Sequence, residues 1–423
     1  MMRKKRVITG MLALLISLFP GWILARNKAK SDNVAKVGVA QVNITPDKPT
    51  MMSGYAARIT PSVGVHDSLY ASAFCFSEDE GKSLLITADL IGFPNDFANE
   101  LKELISFKID VPVENIMLVA VHNHGGPSVG KNHDSESVRE YTEILKNKLL
   151  NLAANASKKM EPFLMGAGKG RCNMNINRRA EFAEGMAWIG RNPDGPCDHE
   201  LDVIRFETFD HLPIAVLINW PCHATVMEDT NYLITGDWPG AAARYIKKQI
   251  GGNIIVGVTA GASGDINSIY GPGDYYQEVD AVGHHIGKET MKVLSNIETY
   301  PVTDIRVTEK TVTFPGKMRM NDRLSHSTYE PGPDAEIKLS VMKIGNLMLT
   351  GISGEVMNEI GTKIKGQSPY SNTIVMTHCN GSSGYICTDE AFATGGYEVA
   401  ATRLMPGAEK PLIKKVMEMI YSF

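Results

Sequence analysis

The stretch that decides the fold is ENIMLVAVHNHGGPSVG, residues 114–130. The apolar run Ile116–Val121 predicts a buried strand, and His122 and His124 stand at its end before a Gly-Gly-Pro turn. Side chains two residues apart on an extended backbone point to the same face, so both imidazoles can aim at one point. A lone histidine is more often a satisfied core or surface residue. Two at a glycine-flanked strand end favour a functional site.

Three other stretches repeat this pattern of an apolar run followed by a polar, metal-competent side chain. They are LINWPCHATVMED (217–229, with His223), LMLTGISGEVMNEIG (347–361, with Glu355) and HCNGSSGYICTDEAFATGGYE (378–398, with Tyr385 and Tyr397). Enzymes of the α/β class build active sites from such strand ends, brought together from distant parts of the chain. For the two tyrosines alone, aromatic covers on a glycine-rich loop are the alternative.

Periodicity along the chain predicts one large α/β domain over residues 33–423, with mixed sheets and surrounding helices. The predicted strands are Val34–Ile44, Tyr70–Phe76, Ser83–Leu90, Ile116–Val121, Asp202–Phe206, Ala215–Asn219 and Ile254–Val258, with further strands within 300–350. The predicted helices are Asp96–Phe107, Ser137–Lys158, Pro239–Gln249, Val282–Leu294 and Val356–Ile364. The stretch 166–199 is rich in polar residues, Gly and Asn, and carries no predicted element.

Residues 1–26 have the composition of a cleaved secretory signal peptide. A basic segment, Arg3–Arg6, precedes the apolar run Val7–Phe19, which is short for a membrane span and ends at Pro20-Gly21. We therefore predict an exported protein, periplasmic or secreted, with no stable membrane span after cleavage; an uncleaved anchor is the alternative. Cleavage removes five of the 43 basic residues, so 38 face 47 acidic ones, a net charge of −9. This balance argues against nucleic acid or an anionic membrane surface as a partner.

Six cysteines lie far apart without a CxxC pair. An exported protein of this length can form disulfides but has core enough to do without them. Cys75 lies in an apolar run and is predicted to be a buried thiol. Cys172 and Cys197 are the first candidates for a disulfide.

Two histidines and a carboxylate with an open position form a common hydrolytic zinc set, and the histidines at these strand ends together with Glu355 offer the residue types for it. Zinc accepts nitrogen and oxygen ligands and acidifies a bound water. Glu355 alone is a weaker signal, since a glutamate opening a helix can merely favour the helix dipole. Arg178 and Asp265 each have a structural alternative to a role in the site: Arg178 would form a surface ion pair, and Asp265 would cap a turn. His66, Asp67 and Asp89 would either orient ligand imidazoles or cap strand ends.

Taken in order, these motifs resemble the catalytic domain of the neutral/alkaline (non-lysosomal) ceramidase family. The resemblance runs through Gly54-Tyr55, Val65-His66-Asp67, His122-Asn123-His124, Asn177-Arg178, Asn219–His223, Gly264-Asp265, Gly354-Glu355 and Gly384-Tyr385. It implies a zinc amidase with Zn²⁺ held by His122, His223, Glu355 and Tyr385. It also implies that His124, Arg178 and Tyr397 surround the scissile amide, with Asp265 and Asn267 in a neighbouring catalytic loop.

Two departures from the family pattern bear on the substrate. Asn267 stands where the family has a substrate-contacting serine, and the chain ends at Phe423 without the family's immunoglobulin-like C-terminal domain. Both predict poor turnover of long-chain ceramide and a preference for a smaller or more polar acylated substrate. The same scaffold acting on a carbohydrate or glycoconjugate is one alternative. A binding protein that keeps the pocket without turnover is another.

Overall fold

A computed structural model describes residues 34–78, 81–183, 185–320 and 329–423. The signal peptide predicted over residues 1–26 lies outside them. The helices are α1 (Asn95–Ile109), α2 (Glu136–Lys158), α3 (Asp237–Ile250), α4 (Tyr276–Leu294), α5 (Asn358–Gln367), α6 (Ala391–Thr394), α7 (Tyr397–Ala401) and α8 (Glu409–Ile420). A 3-10 turn, Val113–Asn115, follows α1.

The strands alternate with the helices along much of the chain. They are β1 (Lys36–Asn43), β2 (Gly64–Val65), β3 (Tyr70–Glu78), β4 (Gly81–Ala88), β5 (Ile116–Ala120), β6 (Glu161–Pro162), β7 (Leu164–Arg171), β8 (Asn175–Ala183), β9 (Met186–Asn192), β10 (Glu200–Glu207), β11 (Pro213–Trp220), β12 (Leu233–Ile234), β13 (Ile255–Ala260), β14 (Ile266–Ser268), β15 (Tyr300–Pro301), β16 (Ile305–Lys317), β17 (Pro331–Ile344), β18 (Leu347–Ile352), β19 (Glu355–Val356), β20 (Asn372–Met376) and β21 (Tyr385–Ile386). This mixed architecture confirms the predicted α/β class.

Three larger sheets carry the fold, with strand orders β5-β4-β3-β1-β6, β13-β11-β10-β7-β15 and β16-β17-β18-β20. Each contains one parallel pair, β4 with β5, β11 with β13, and β18 with β20, among antiparallel neighbours. Three small sheets have the strand orders β12-β2, β14-β8-β9 and β19-β21.

The three larger sheets share one apolar core. Phe74 and Phe76 of β3 meet Phe206 of β10 there, with ring centroids 5.5 and 6.1 Å apart. The opposite face of the first sheet packs on α1 and α2, the second sheet packs on α3 and α4, and the third packs on α5 and α8. Helices therefore cover the outer faces, and each fully buried phenylalanine contributes about 1.5–3 kcal/mol.

The glycine-rich stretch 166–199, for which no element was predicted, forms three strands, β7, β8 and β9. Gly166, Gly168 and Gly170 alternate on the face of β7 that meets the end of α4. A Cβ at these positions would lie 2.1–2.8 Å from Glu298, Ile297 and Val293. Close backbone packing, and not strand propensity, fixes this strand, which explains why the composition did not reveal it.

All six cysteines are free thiols. The disulfide suggested for Cys172 and Cys197 is therefore not formed, while Cys75 is buried as predicted. No described helix is both long and apolar enough to cross a bilayer.

Candidate functional site

The carboxyl ends of the three parallel strand pairs meet at one place. His122 follows β5, His223 follows β11, and Glu355 comes just after β18. Polar residues gather where parallel strands end because the chain turns there toward a crevice. This topology unites side chains that are more than 200 residues apart in sequence.

The rings of His122 and His223 are held by backbone carbonyls. The Nδ1 atom of His122 lies 2.9 Å from the carbonyl of Ile91. The Nδ1 atom of His223 lies 2.7 and 3.1 Å from the carbonyls of Ser263 and Ile266. A carbonyl only accepts hydrogen bonds, so Nδ1 carries the proton in both rings and the Nε2 lone pair is free. Metal-binding histidines are typically fixed in this way.

The Glu355 carboxylate completes a three-ligand set. Its Oε2 atom lies 3.3 Å from Nε2 of His122 and 3.3 Å from Nε2 of His223. With zinc–ligand bonds of about 2.0–2.1 Å, ligand atoms at tetrahedral corners are roughly 3.3 Å apart. The carboxylate oxygen is thus spaced from each imidazole nitrogen as one zinc ligand is from another.

Charge in the site also suits a cation. Burial alone would raise the pKa of Glu355, but the adjacent His122 and His223 side chains hold it well below its usual range. Burial, together with the neighbouring Arg178 charge, lowers the pKa of His223 to about 4. The site therefore offers a neutral imidazole at His223 and an ionised carboxylate at Glu355 at neutral pH.

Glu355 and Tyr385 are placed side by side by the backbone. The two-residue strands β19 and β21 pair in parallel, and Glu355 is the register partner of Tyr385. The Tyr385 hydroxyl accepts a hydrogen bond of 3.1 Å from Arg178 Nη2. The phenol thus lies at the same site as the three candidate ligands.

His124 joins the cluster from the other side. Its Nε2 atom lies 3.2 Å from Nε2 of His122, and its buried Nδ1 atom has no hydrogen-bond partner. The ligand atoms of His122, His124 and His223 all lie within 4.8 Å of one another. Gly54 lies against this ring at a φ of +99°, and a Cβ there would come within 2.5 Å of it. The Gly54 motif thus makes room for the imidazole.

Arg178 is buried at the centre of a polar network. Its Nη1 atom lies 3.3 Å from His223 Nε2 and donates to Asn267 Oδ1 at 3.3 Å. Its Nε atom donates to Glu398 at 2.8 Å, and Glu398 also accepts from Arg179 at 2.8 Å. The guanidinium is therefore fixed beside the candidate ligands, unlike a solvated surface arginine.

Tyr397 and Asp265 differ in their relation to the cluster. The Tyr397 ring lies 5.7 Å from the Tyr385 ring and is 37% exposed, between the buried site and solvent. The Asp265 carboxylate instead accepts hydrogen bonds from the Asn358 backbone N–H at 2.8 Å and from Asn177 at 3.2 Å. Asp265 thus caps the start of α5, although its backbone carbonyl also accepts from Arg178 N–H.

Several residues of the site were not singled out from the sequence. Glu398 directly follows Tyr397 and is buried. An acidic residue in a polar segment is usually exposed, so the sequence did not indicate this burial. His378 stacks on His122 with ring centroids 3.9 Å apart. Buried Arg58 donates to the carbonyl of His124. The sequence signal for His378 was its position just after an apolar run, the same pattern that singled out the other histidines.

Comparison with known proteins identifies the family of the chain. The family model of the neutral/alkaline non-lysosomal ceramidase N-terminal domain matches residues 36–273, more than half of the chain. The chain belongs to this ceramidase family. The predicted family resemblance is thereby confirmed.

Curated relatives include neutral ceramidase B of Dictyostelium discoideum, 26% identical over 244 residues, which cover 53% of this chain and 33% of the relative. Another is the neutral ceramidase of Pseudomonas aeruginosa, 27% identical over 242 residues, covering 52% of this chain and 35% of the relative. The matched region thus spans about a third of these ceramidases.

Solved ceramidase structures extend the similarity of fold to most of the chain. The crystal structure of the Pseudomonas aeruginosa neutral ceramidase matches with a TM-score of 0.76 at 16% identity, over 92% of this chain and 74% of that one. A ceramidase structure complexed with C2 matches with a TM-score of 0.77 at 15% identity, over 92% and 75%. Glu355, Tyr385 and Tyr397 lie beyond the family-model match, which ends at residue 273. For that part of the chain, the similarity to ceramidases is one of fold, seen in the two solved structures.

Proposed function

We propose that this ceramidase-family chain is an exported zinc-dependent hydrolase that cleaves an amide or related acyl bond. The Glu355 Oε2 atom lies 3.3 Å from both His122 Nε2 and His223 Nε2, and this convergence supports the metal. The carbonyl anchors on both Nδ1 atoms and the hard carboxylate oxygen fit the donor set of a catalytic zinc. Tyr385 is the proposed fourth ligand.

The protein residues around these ligands supply the remaining chemistry. A bound zinc would act as a Lewis acid toward water and the acyl carbonyl. His124 is half-buried, and desolvation of its ring holds its pKa well below the usual range, so the ring is neutral. Its Nε2 atom could accept a proton from a water acidified by zinc and return it. Proton return to the departing nitrogen would complete amide cleavage.

The developing oxyanion would meet positive charge and hydrogen-bond donors. Arg178 is permanently charged, and Glu398 fixes its orientation. Asn267 accepts from Arg178 through Oδ1, which leaves its NH₂ group free to donate to an oxyanion. The Tyr397 hydroxyl is the donor nearest to solvent. Donors fixed in advance in a site closed to water give large rate effects.

The test is hydrolysis by the purified mature chain of long-chain ceramide and short N-acyl amides, with metal removed and restored. The relatives are named neutral ceramidases, which makes an N-acylated compound the first substrate to try. We expect turnover to stop after treatment with a chelator and to return with one equivalent of Zn²⁺. Turnover by protein shown to be metal-free would overturn the proposal.

Export rests on the charge and hydropathy of residues 1–26 and has a separate test. Expression of the full chain in a Gram-negative host should deliver protein to the periplasm with an N-terminus near residue 26. Full-length protein retained in the cytoplasm would contradict export without affecting the hydrolase assignment.

A further inference from the structure

A fourth buried imidazole, His378, lies against the candidate metal ligands without belonging to them. It follows β20 and is 4% exposed. Its ring is stacked on the ring of His122, with centroids 3.9 Å apart and an angle of 11° between the planes. The group of described residues with convergent ligand atoms comprises His122, His124 and His223, and does not include His378.

The backbone of His378 joins the two segments that carry candidate ligands. Its N–H donates to the carbonyl of Gly354, the residue before Glu355, at 3.3 Å. Its carbonyl accepts from the N–H of Ala120, two residues before His122, at 3.3 Å. His378 thus contacts the backbone next to one ligand and the ring of another.

The segment that carries His378 is itself tightly held. Asn380 N–H donates to the carbonyl of Leu118 at 2.8 Å, and the Asn380 side chain accepts from Leu118 N–H at 2.7 Å. His378 has a φ of +54° and His122 a φ of +61°, so both stacked rings leave the backbone from the left-handed region. A non-glycine residue keeps that conformation only where its surroundings enforce it.

We infer that His378 is a positioning residue that holds the His122 ring and the Glu355 segment in the geometry that binds metal. This inference rests on the proposed zinc function. No hydrogen bond joins either ring nitrogen of His378 to another described residue, so the stacked face of the ring is what the site uses. Stacking restricts rotation of the His122 ring, which the contact of its Nδ1 atom to the Ile91 carbonyl does not fully fix.

The experiment compares zinc binding by three variants of the mature chain, using competition with a chromogenic chelator. His378→Asn removes the ring but suits a left-handed backbone, since Asn tolerates positive φ. His378→Phe keeps a flat ring without nitrogens. His285→Asn, on the exposed face of α4, is the matched control for loss of an imidazole.

We expect His378→Asn to weaken zinc binding about 10- to 100-fold, the range found when residues supporting metal ligands are changed. His378→Phe should bind zinc with an affinity within about threefold of wild type, because a flat ring still stacks on His122. The control should bind as wild type does. The Co²⁺-substituted His378→Asn variant should show altered d–d absorption, while the melting temperature of the metal-free protein changes little.

Two results would overturn the role of His378. One is unchanged zinc affinity in His378→Asn. The other is an equal loss in His378→Phe and His378→Asn, which would mean that the ring nitrogens, and not the stacked face, matter. If the wild-type chain itself binds no zinc, the proposed function fails before any variant is compared, so the two failures are distinguishable.

Discussion

The two candidate histidine ligands are each fixed through Nδ1, the ring nitrogen that the metal would not use. His223 shows this most clearly, because its Nδ1 is bound by two carbonyls while Nε2 faces Glu355. A ring held in this way loses little freedom on binding a cation, so the site is organised in advance.

His223→Ala should therefore abolish tight zinc binding, because it removes one of the candidate ligands, whose Nε2 atom lies 3.3 Å from Glu355 Oε2. Elemental analysis of wild-type protein purified without added metal should give one zinc per chain, and the variant should give much less than one. His285→Ala is the control. Stoichiometric zinc in the His122→Ala, His223→Ala double variant would contradict the ligand assignment.

Tyr397→Phe should lower kcat without loss of fold or metal, because the ring is part exposed and keeps its edge contacts with Tyr385 and Trp188. Removal of one oxyanion donor costs about 10²- to 10³-fold in rate. Steady-state kinetics and zinc content measured on the same preparation check this. A variant with wild-type kcat would show that the hydroxyl takes no part in the reaction.

At the scale of elements, one ion triad joins β8 to α7. The Glu398 carboxylate, 1% exposed, bridges Arg178 and Arg179. Burial would raise its pKa, but the attraction of the two arginines keeps it below the usual value. Arg178 thus contributes to stability as well as to the proposed chemistry.

Arg178→Ala should destabilise the fold, because it leaves Glu398 buried with one cation instead of two. Breaking a buried pair costs about 3–5 kcal/mol, and the remaining Arg179 should keep the loss near the lower end. Urea unfolding measures the free-energy cost of Arg178→Ala in the wild-type protein and in the Glu398→Gln variant. The cost should be clearly smaller in the Glu398→Gln variant, where the buried carboxylate is absent. Equal losses in both backgrounds would mean that the pair does not interact.

Asp202, on strand β10, should make the free energy of unfolding depend on pH. Burial raises its pKa to about 7, and one carboxylate oxygen has no hydrogen-bond partner among the described residues. The folded-state pKa exceeds that of the unfolded chain, which is about 4. The folded state therefore binds the proton more tightly, and the free energy of unfolding falls as pH rises from about 4 to 7.

Asp202→Asn should remove this slope, so the variant should gain stability relative to wild type by roughly 1 kcal/mol per pH unit across that window. Urea unfolding from pH 4 to 8 in the presence of chelator measures the difference in unfolding free energy between the two proteins. The contributions of other titratable groups are the same in both proteins and cancel. Parallel stability curves for the two proteins would contradict the buried, protonated Asp202.

Elements with an apolar period were predictable, and elements fixed by contacts were not. The strand at Ile116–Ala120 and the helix Glu136–Lys158 lie within one residue of their predicted ends. Strand β7 exists because three glycines let its backbone approach α4, which no local pattern encodes. The pairing of Glu355 with Tyr385 involves strands of two residues, too short for any period to show.

For the whole molecule, the sequence predicted the class of fold and which side chains are competent for chemistry, but not how three sheets meet. Resemblance to a family supplied Tyr385 as a candidate ligand, since tyrosine is an unusual one. His378 and Glu398 emerged only from packing, as neighbours of His122 and Arg178 in space. Residues that support ligands leave weaker traces in sequence than the ligands themselves, because many side chains can perform a supporting role.

Substrate choice belongs to the whole molecule, because discrimination is spread over contacts from many elements. Asn267 lies beside Arg178 at the position where the family pattern has serine, and an amide cannot share a proton as a hydroxyl can. We expect kcat/KM for a long-chain ceramide to be lower than for short N-acyl amides. Asn267→Ser should not reverse this order, since one contact among many is changed. Measurement of both substrates with both proteins decides the matter: a clear preference of the wild-type chain for ceramide would contradict the expected order, and a reversal of the order in Asn267→Ser would mean that this one contact sets substrate choice.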